Sequence, residues 1–110
     1  MFCKGIEVKG DLFDSETRCV HYHSKKDIIA IKFYCCQTYF PCYACHENHA
    51  NHPIKVWPNN QFEQKAILCG SCGLELRIED YLSCDSTCPN CSASFNPGCS
   101  LHSHLYFENN

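Results

Sequence analysis

The chain has 110 residues, a formal net charge of −3 and an isoelectric point of about 6.1. This length allows one small domain, and the few, scattered basic residues offer a nucleic acid backbone little to bind. Twelve cysteines and seven histidines indicate zinc rather than a secreted disulfide scaffold, since thiolate and imidazole are the ligands that zinc prefers. Charged residues interrupt the N-terminus, and no apolar run approaches membrane-spanning length. We therefore expect a monomeric zinc protein with neither a nucleic acid nor a membrane as partner.

The first half of the chain contains one clear strand. Weak alternation of apolar and polar residues over residues 1–18 favours an edge strand that packs on the rest of the protein. The β-branched and aromatic run at 27–34 predicts the best strand, and it leads directly into Cys35 and Cys36. A short hairpin is expected to return the chain through residues 39–40.

A helix and a connector follow the hairpin. Residues 43–51 have the composition of a short helix, which Pro53 ends because a proline disfavours helical geometry at the residue before it. The content of proline and asparagine in segment 54–64 indicates a connector. Beyond it we expect a strand at 65–68, a strand at 74–78, a helical turn at 79–82 and a tail over 93–110 that ends extended.

The C-terminal half contains the strongest metal-binding pattern. Cys69 and Cys72 form one C-x2-C pair, and Cys88 and Cys91 form a second after fifteen intervening residues. This spacing is typical of a four-cysteine zinc site in which each pair lies on a tight turn. The alternative, a pair of redox-active dithiols, would require each C-x2-C to open a helix, whereas turns and short strands are expected here. The pattern predicts a zinc-ribbon-like C-terminal half.

The N-terminal half offers enough ligands for two further tetrahedral sites. Eight cysteines and histidines fall within 34 residues of one another: Cys19, His21, Cys35, Cys36, Cys42, Cys45, His46 and His52. They can be divided into the first four and the last four, or into two sets that alternate along the chain. The spacing allows both divisions. With the C-terminal site, they predict a small zinc-stabilised α+β fold of short β-hairpins and one short helix, organised by three zinc sites.

The order of these residues resembles a known family. Cys19-Val20-His21-Tyr22 carries the C-x-H-Y signature of the CHY-type zinc finger, and Cys35-Cys36 and the C-x2-C-H at 42–46 follow in that family's order. The resemblance implies an interleaved arrangement of three zinc ions. Its ligand sets, carried over to this chain, are Cys19, His21, Cys42 and Cys45; then Cys35, Cys36, His46 and His52; then Cys69, Cys72, Cys88 and Cys91.

The resemblance also implies a division of the chain. Residues 1–18 would be an extension that packs on the module, residues 19–92 the CHY-type zinc finger, and residues 93–110 a tail. Within the finger, residues 19–52 would form the two-zinc part and residues 69–91 the four-cysteine ribbon part. The short chain resembles stand-alone members, which include a mitochondrial intermembrane-space helper of translocase assembly and bacterial relatives. We expect a cytoplasmic location, with the intermembrane space as the alternative in a eukaryote.

Some cysteines and histidines are not needed by three sites. Cys99, His102 and His104 have ligand-like spacing and could form a fourth site, or they could support the tail without binding metal. The other four are expected to be free thiols or surface imidazoles: Cys3, Cys84, His23 and His49.

The sequence favours a protein that is not an enzyme. A zinc-protease helix would need a histidine where Ala50 stands, and sites filled by four protein ligands leave no position for a reactive water. We therefore expect a structural zinc module that serves as a protein-interaction scaffold, with exposed aromatic side chains such as Trp57 and Tyr43 as anchors, unless they belong to the core. The alternative is a factor that exchanges zinc or thiols with a cysteine-rich client.

Overall fold

The computed structural model describes residues 2–3, 5–10, 12, 14, 17–19, 25–84, 86–95 and 106–107. Within these residues the backbone forms a four-stranded antiparallel sheet, a two-stranded antiparallel hairpin and two short helices. The small α+β fold predicted from the sequence is confirmed. Neither helix has the length and the apolar content that crossing a bilayer requires.

The elements are short and follow the predicted order. The larger sheet has the strand order β4-β3-β5-β6, and a single 3-10 turn at Asn59–Gln61 interrupts the connector. The bounds are β1 Phe2–Cys3, β2 Ile6–Glu7, β3 Ile29–Phe33, β4 Thr38–Phe40, α1 Tyr43–His49, β5 Lys65–Cys69, β6 Glu75–Arg77 and α2 Ile78–Leu82.

Both faces of the larger sheet are covered. One face carries the main core, in which Ile31 of β3 pairs in register with Phe40 of β4 and with Ile67 of β5. The opposite face carries a smaller cluster, where Val8 packs with Tyr39. Strands buried on both faces need nearly continuous apolar residues. This explains why β3 is the clearest strand in the sequence.

The N-terminal segment extends the sheet beyond β4. Val8 forms an isolated parallel bridge with Tyr39, and the backbone N–H of Lys9 donates to the carbonyl of Tyr39 at 2.9 Å. The outer edge of β4 is therefore paired with another part of the chain, which protects it from pairing with another molecule.

The first helix begins at a cysteine and ends as its sequence indicates. Cys42 is the N-cap, with extended backbone angles, and its Sγ accepts a hydrogen bond from the backbone N–H of Cys45 at 3.4 Å. Helix α1 ends at His49, because Ala50 adopts an extended conformation shortly before Pro53. The helix thus places two consecutive cysteine and histidine ligands, Cys45 and His46, in its first turn.

Of the two alternatives that the sequence leaves open for Trp57, an exposed anchor or a core residue, the structure shows the core residue. Only 3% of its surface is exposed, and its backbone forms a parallel bridge with Phe107 and donates to the carbonyl of Tyr106 at 2.9 Å. The hydroxyl of Tyr106 accepts a hydrogen bond from the backbone N–H of Tyr43 at 3.2 Å. Trp57 is buried because the C-terminal residues return to this connector and join it to the start of α1.

Candidate metal centres

The four C-terminal cysteines face one another across two turns. The Sγ atoms of Cys69 and Cys91 are 3.8 Å apart, and those of Cys72 and Cys88 are also 3.8 Å apart. All four sulfur atoms lie within 4.8 Å of one another. Zinc–sulfur bonds of about 2.3 Å in a tetrahedron place neighbouring sulfurs about 3.8 Å apart. The four thiols therefore have the spacing that a zinc ion requires.

The two turns that carry these cysteines have the same backbone pattern. The backbone N–H of Cys69 donates a hydrogen bond to the carbonyl of Leu74 at 2.9 Å. The carbonyl of Cys69 accepts a hydrogen bond from the backbone N–H of Gly73 at 2.8 Å. In the second turn Cys88 makes the equivalent bonds with Ala93 and Ser92, both at 2.9 Å. The fourth residue after each first cysteine has a positive φ, 82° at Gly73 and 64° at Ser92. The repeated geometry presents two thiols from each turn to one point.

Hydrogen bonds around this group oppose the effect of burial on the pKa of its thiols, and at one thiol they prevail. Burial raises the pKa of Cys69 and of Cys88, and backbone N–H groups of the residues that follow each cysteine oppose that rise. At Cys72 burial also raises the pKa, but hydrogen bonds, among them those from the Asn90 side chain and the backbone of Leu74, outweigh it and bring the pKa to about 7. Zinc binds the thiolate form, so this group can begin to load near neutral pH.

The second group joins the β3–β4 hairpin to the end of α1. The Sγ of Cys35 lies 3.2 Å from the Nε2 of His46 and 4.0 Å from the Sγ of Cys36. The Nε2 atoms of His46 and His52 are 3.2 Å apart. All four ligand atoms lie within 4.8 Å of one another. Two sulfurs and two imidazole nitrogens at these separations suit a tetrahedral zinc ion.

Aromatic packing fixes one histidine of this group. The ring of His46 is fully buried, stacks on Phe33 with centroids 4.4 Å apart, and meets the edge of Phe40 at 5.1 Å. Burial lowers the pKa of His46, which favours the neutral imidazole that a metal needs. Its Nδ1 is buried without a hydrogen-bond partner among the described residues. Leaving that atom unpaired costs about 1–3 kcal/mol, a cost that a metal bond at Nε2 would offset.

The third group is the most deeply buried. Cys19, Cys42 and Cys45 are all buried, and the Sγ atoms of Cys19 and Cys42 are 3.6 Å apart. The fourth predicted ligand of this site, His21, lies outside the described residues. The three thiols already lie within 4.8 Å of one another, at a spacing that suits one zinc ion.

Gly10 packs directly against the third group. Its φ is 122°, and a Cβ at this position would lie 2.8 Å from the Cβ and 3.0 Å from the Sγ of Cys45. Only glycine fits so close to the sulfur at this φ. This role of Gly10 could not be predicted, because a single glycine in a weakly patterned N-terminal segment gives no sign of what it will contact.

The structure brings the seven described N-terminal candidate ligands together in the interleaved order. The eighth candidate, His21, lies outside the described residues. Helix geometry gives the reason, since consecutive residues of a helix point about 100° apart. Cys45 and His46 are consecutive, so their side chains are directed to different groups. The division into the first four and the last four ligands would require both to reach one ion.

The remaining cysteines and histidines are only partly within the described residues. His49 is exposed, as predicted, and Cys84 is half-buried outside the three groups, where its Sγ donates to the carbonyl of Tyr81 at 3.1 Å. The other positions, including the predicted fourth site, lie outside the described residues or lack described side chains: Cys3, His23, Cys99, His102 and His104.

Comparisons with known proteins agree with this geometry. Residues 19–98 match the family model described as CHY zinc finger. The chain is 42% identical over 105 residues to Helper of Tim protein 13 of Saccharomyces cerevisiae, covering 93% of this chain and 90% of that protein. It is 41% identical over 101 residues to Helper of Tim protein 13 of Kluyveromyces lactis, covering 92% of this chain and 88% of that one. The matches confirm the resemblance inferred from the sequence and support zinc as the metal.

Proposed function

Because the chain belongs to the CHY zinc finger family, we propose that it is a non-enzymatic zinc module that binds another protein. The observation that carries this proposal is the arrangement of the three cysteine and histidine groups. One group joins the β3–β4 hairpin to helix α1 and the segment after it, one joins Cys19 to the start of α1, and one joins the two C-terminal turns. Zinc would hold these parts in one shape and so define a surface that a partner can recognise.

Each group is proposed to hold one zinc ion. The assignment rests on the distances between ligand atoms and, for His21, on the family's C-x-H-Y signature. The proposed ligand sets are Cys19, His21, Cys42 and Cys45; Cys35, Cys36, His46 and His52; and Cys69, Cys72, Cys88 and Cys91.

The donor sets support a structural role. The second group and the C-terminal group each contain four protein donors, which complete the tetrahedral coordination that zinc prefers in structural sites. A catalytic zinc keeps one position for water or substrate. A module of this kind would therefore act through its shape and not through a metal-bound water.

The names of the relatives indicate the class of client. The two yeast proteins are named Helper of Tim protein 13, and we propose that this chain binds a Tim protein, as a monomer. On the same ground we favour the mitochondrial intermembrane space, the alternative that the sequence resemblance implied, over the cytoplasm.

Titration calorimetry of the full chain with a purified, reduced Tim protein tests the proposal. Zinc-loaded protein should bind, whereas protein stripped by a chelator and kept in chelator should not. A Cys69→Ser variant, which removes one proposed ligand, should weaken binding in step with its loss of zinc. Equal binding by the zinc-loaded and stripped forms would contradict the proposal.

The second candidate function, exchange of zinc or thiols with a cysteine-rich client, is favoured by one specific observation. Two residues of the second group, Cys36 and His52, line an open cleft, so a reagent from solvent can approach this group directly.

A further inference from the structure

A cleft of about 310 Å³ opens beside the second group. Cys36 and His52 form part of its wall, together with Phe40 from the core, Lys9 from the N-terminal segment and His49 from the last turn of α1. This volume is at the lower end of the range for ligand sites, about 300–1,000 Å³. It suits one or two side chains of an extended peptide and not a large cofactor.

The four ligands of this group are held with different strength. His46 is fully buried between Phe33 and Phe40. Cys35 and Cys36 are half-buried and lie in the tight turn between the paired strands β3 and β4. His52 is half-buried and lies after the end of α1, in a segment without regular structure. Its Nδ1 is 3.1 Å from the Oδ1 of the exposed neighbour Asn51. His52 is thus the ligand that can leave with the least change to the core.

We propose that this cleft admits a cysteine side chain of a client protein, which takes the place of His52 on zinc, so that the zinc of this group is cargo. The inference rests on the second candidate function and names its site. In the exchange, the client thiol gives its proton to the Nε2 of His52. The bond between zinc and His52 breaks, and a bond between zinc and the client sulfur forms. Nothing is oxidised or reduced.

The charges of the cleft suit this exchange. A zinc ion with two thiolates and two neutral imidazoles carries no net charge, and replacing one imidazole by a thiolate adds one negative charge. The exposed ammonium of Lys9 lies in the wall of the same cleft and would stabilise that charge. Thiolate is also a softer and stronger zinc ligand than imidazole, so the client cysteine has a thermodynamic advantage over His52.

Among the described residues, the other two groups lack these features. The three described thiols of the third group are buried, and Gly10 packs against the sulfur of Cys45, so the approach from that side is closed. In the C-terminal group all four donors are thiolates, so an incoming thiolate gains no advantage over the ligand that it replaces. Exchange is therefore expected at the second group first.

Metal release from the full chain by reduced glutathione is the test. Cobalt-loaded protein serves as the probe, because cobalt absorption differs between a site with two thiolates and a site with four. The absorption lost with the first equivalent of cobalt should be that of the site with two thiolates and two imidazoles. Earlier loss of the spectrum of the four-thiolate site, or of the site with three thiolates and one imidazole, would overturn the proposal. Because glutathione replaces the client here, failure of this test is distinct from failure to bind a Tim protein.

Two variants locate the exchange. Lys9→Gln should slow glutathione-driven zinc release about two- to fivefold at low salt, the effect of one nearby unit charge near solvent, and the difference should shrink at high salt. Lys55→Gln, which removes an exposed lysine outside the cleft, is the matched control and should have no effect.

His52→Cys should slow release on the order of tenfold, since a thiolate then has to be displaced. Equal rates for Lys9→Gln and Lys55→Gln, or unchanged release from His52→Cys, would each refute the proposal.

Discussion

The indole Nε1 of Trp57 donates a hydrogen bond to the backbone carbonyl of Lys32 at 2.7 Å. Strand β3 pairs with β5 only as far as Ile31, so the carbonyl of Lys32 lies beyond the last pair of that ladder. Trp57 supplies the donor that β5 does not. A connector residue thereby completes the hydrogen bonding of the central strand.

Replacing Trp57 with phenylalanine removes this donor and keeps an aromatic ring. We expect the free energy of unfolding to fall by about 1–3 kcal/mol, the cost of leaving a buried carbonyl without its partner. Urea denaturation of zinc-loaded protein measures the change. A variant with wild-type stability would show that water satisfies the Lys32 carbonyl equally well.

Removing zinc should unfold the protein. Single zinc-finger peptides gain about 10–16 kcal/mol from their metal near neutral pH, whereas a whole domain has a net stability of about 5–15 kcal/mol. With three groups in one small core, the apoprotein should lose its circular dichroism spectrum. The fluorescence of Trp57, the single tryptophan, should shift to the red as it enters water. Readdition of zinc is the control, and a native spectrum in excess chelator would contradict the prediction.

The elements that the sequence predicted are those whose signal is local. A run of β-branched and aromatic residues is enough to predict β3, and the spacing of Cys69, Cys72, Cys88 and Cys91 is enough to suggest one cluster. The division of the N-terminal ligands was left open by spacing, because it depends on the direction in which Cys45 and His46 leave a helix.

The features that the sequence did not predict join distant parts of the chain. The burial of Trp57 depends on Tyr106 and Phe107, which lie far from it in the sequence. Proline and asparagine around Trp57 indicate a connector but do not say what will cover it. Gly10 is a similar case, since its role depends on the position of Cys45.

Gly10→Ala should disturb the third group. The added Cβ would lie 2.8 Å from the Cβ of Cys45, and alanine is also strained at a φ of 122°. We therefore expect the free energy of unfolding to fall by about 1–3 kcal/mol from strain alone, and further because of the clash. Gly5→Ala is the matched control, because Gly5 has a φ of 88° but no atom of the described residues lies within 4 Å of the added atom. Thermal unfolding and cobalt absorption should both separate the two variants. Equal effects would assign the loss to backbone strain and not to contact with the ligand.

Cys84→Ser should leave the zinc content unchanged. The thiol of Cys84 donates to the carbonyl of Tyr81 and lies outside the three groups, and a serine hydroxyl can make the same bond. Cys88→Ser, which removes a proposed ligand four residues later, should lose one zinc ion. Native mass spectrometry counts the ions in each variant. Loss of zinc from Cys84→Ser would show that this thiol takes part in binding.

The position of Tyr106 and Phe107 in the core has a consequence for the protein's biogenesis. Both side chains are buried, and the ring of Tyr106 meets that of Phe33 edge-on, so this part of the core can close only after synthesis has reached residue 107. The hydrophobic pocket around Phe33 and Trp57 therefore stays incomplete on a growing chain, even if zinc is abundant. Until residues 106 and 107 have been synthesised, the nascent protein exposes both thiols and aromatic surface, a state that proteases and chaperones can recognise.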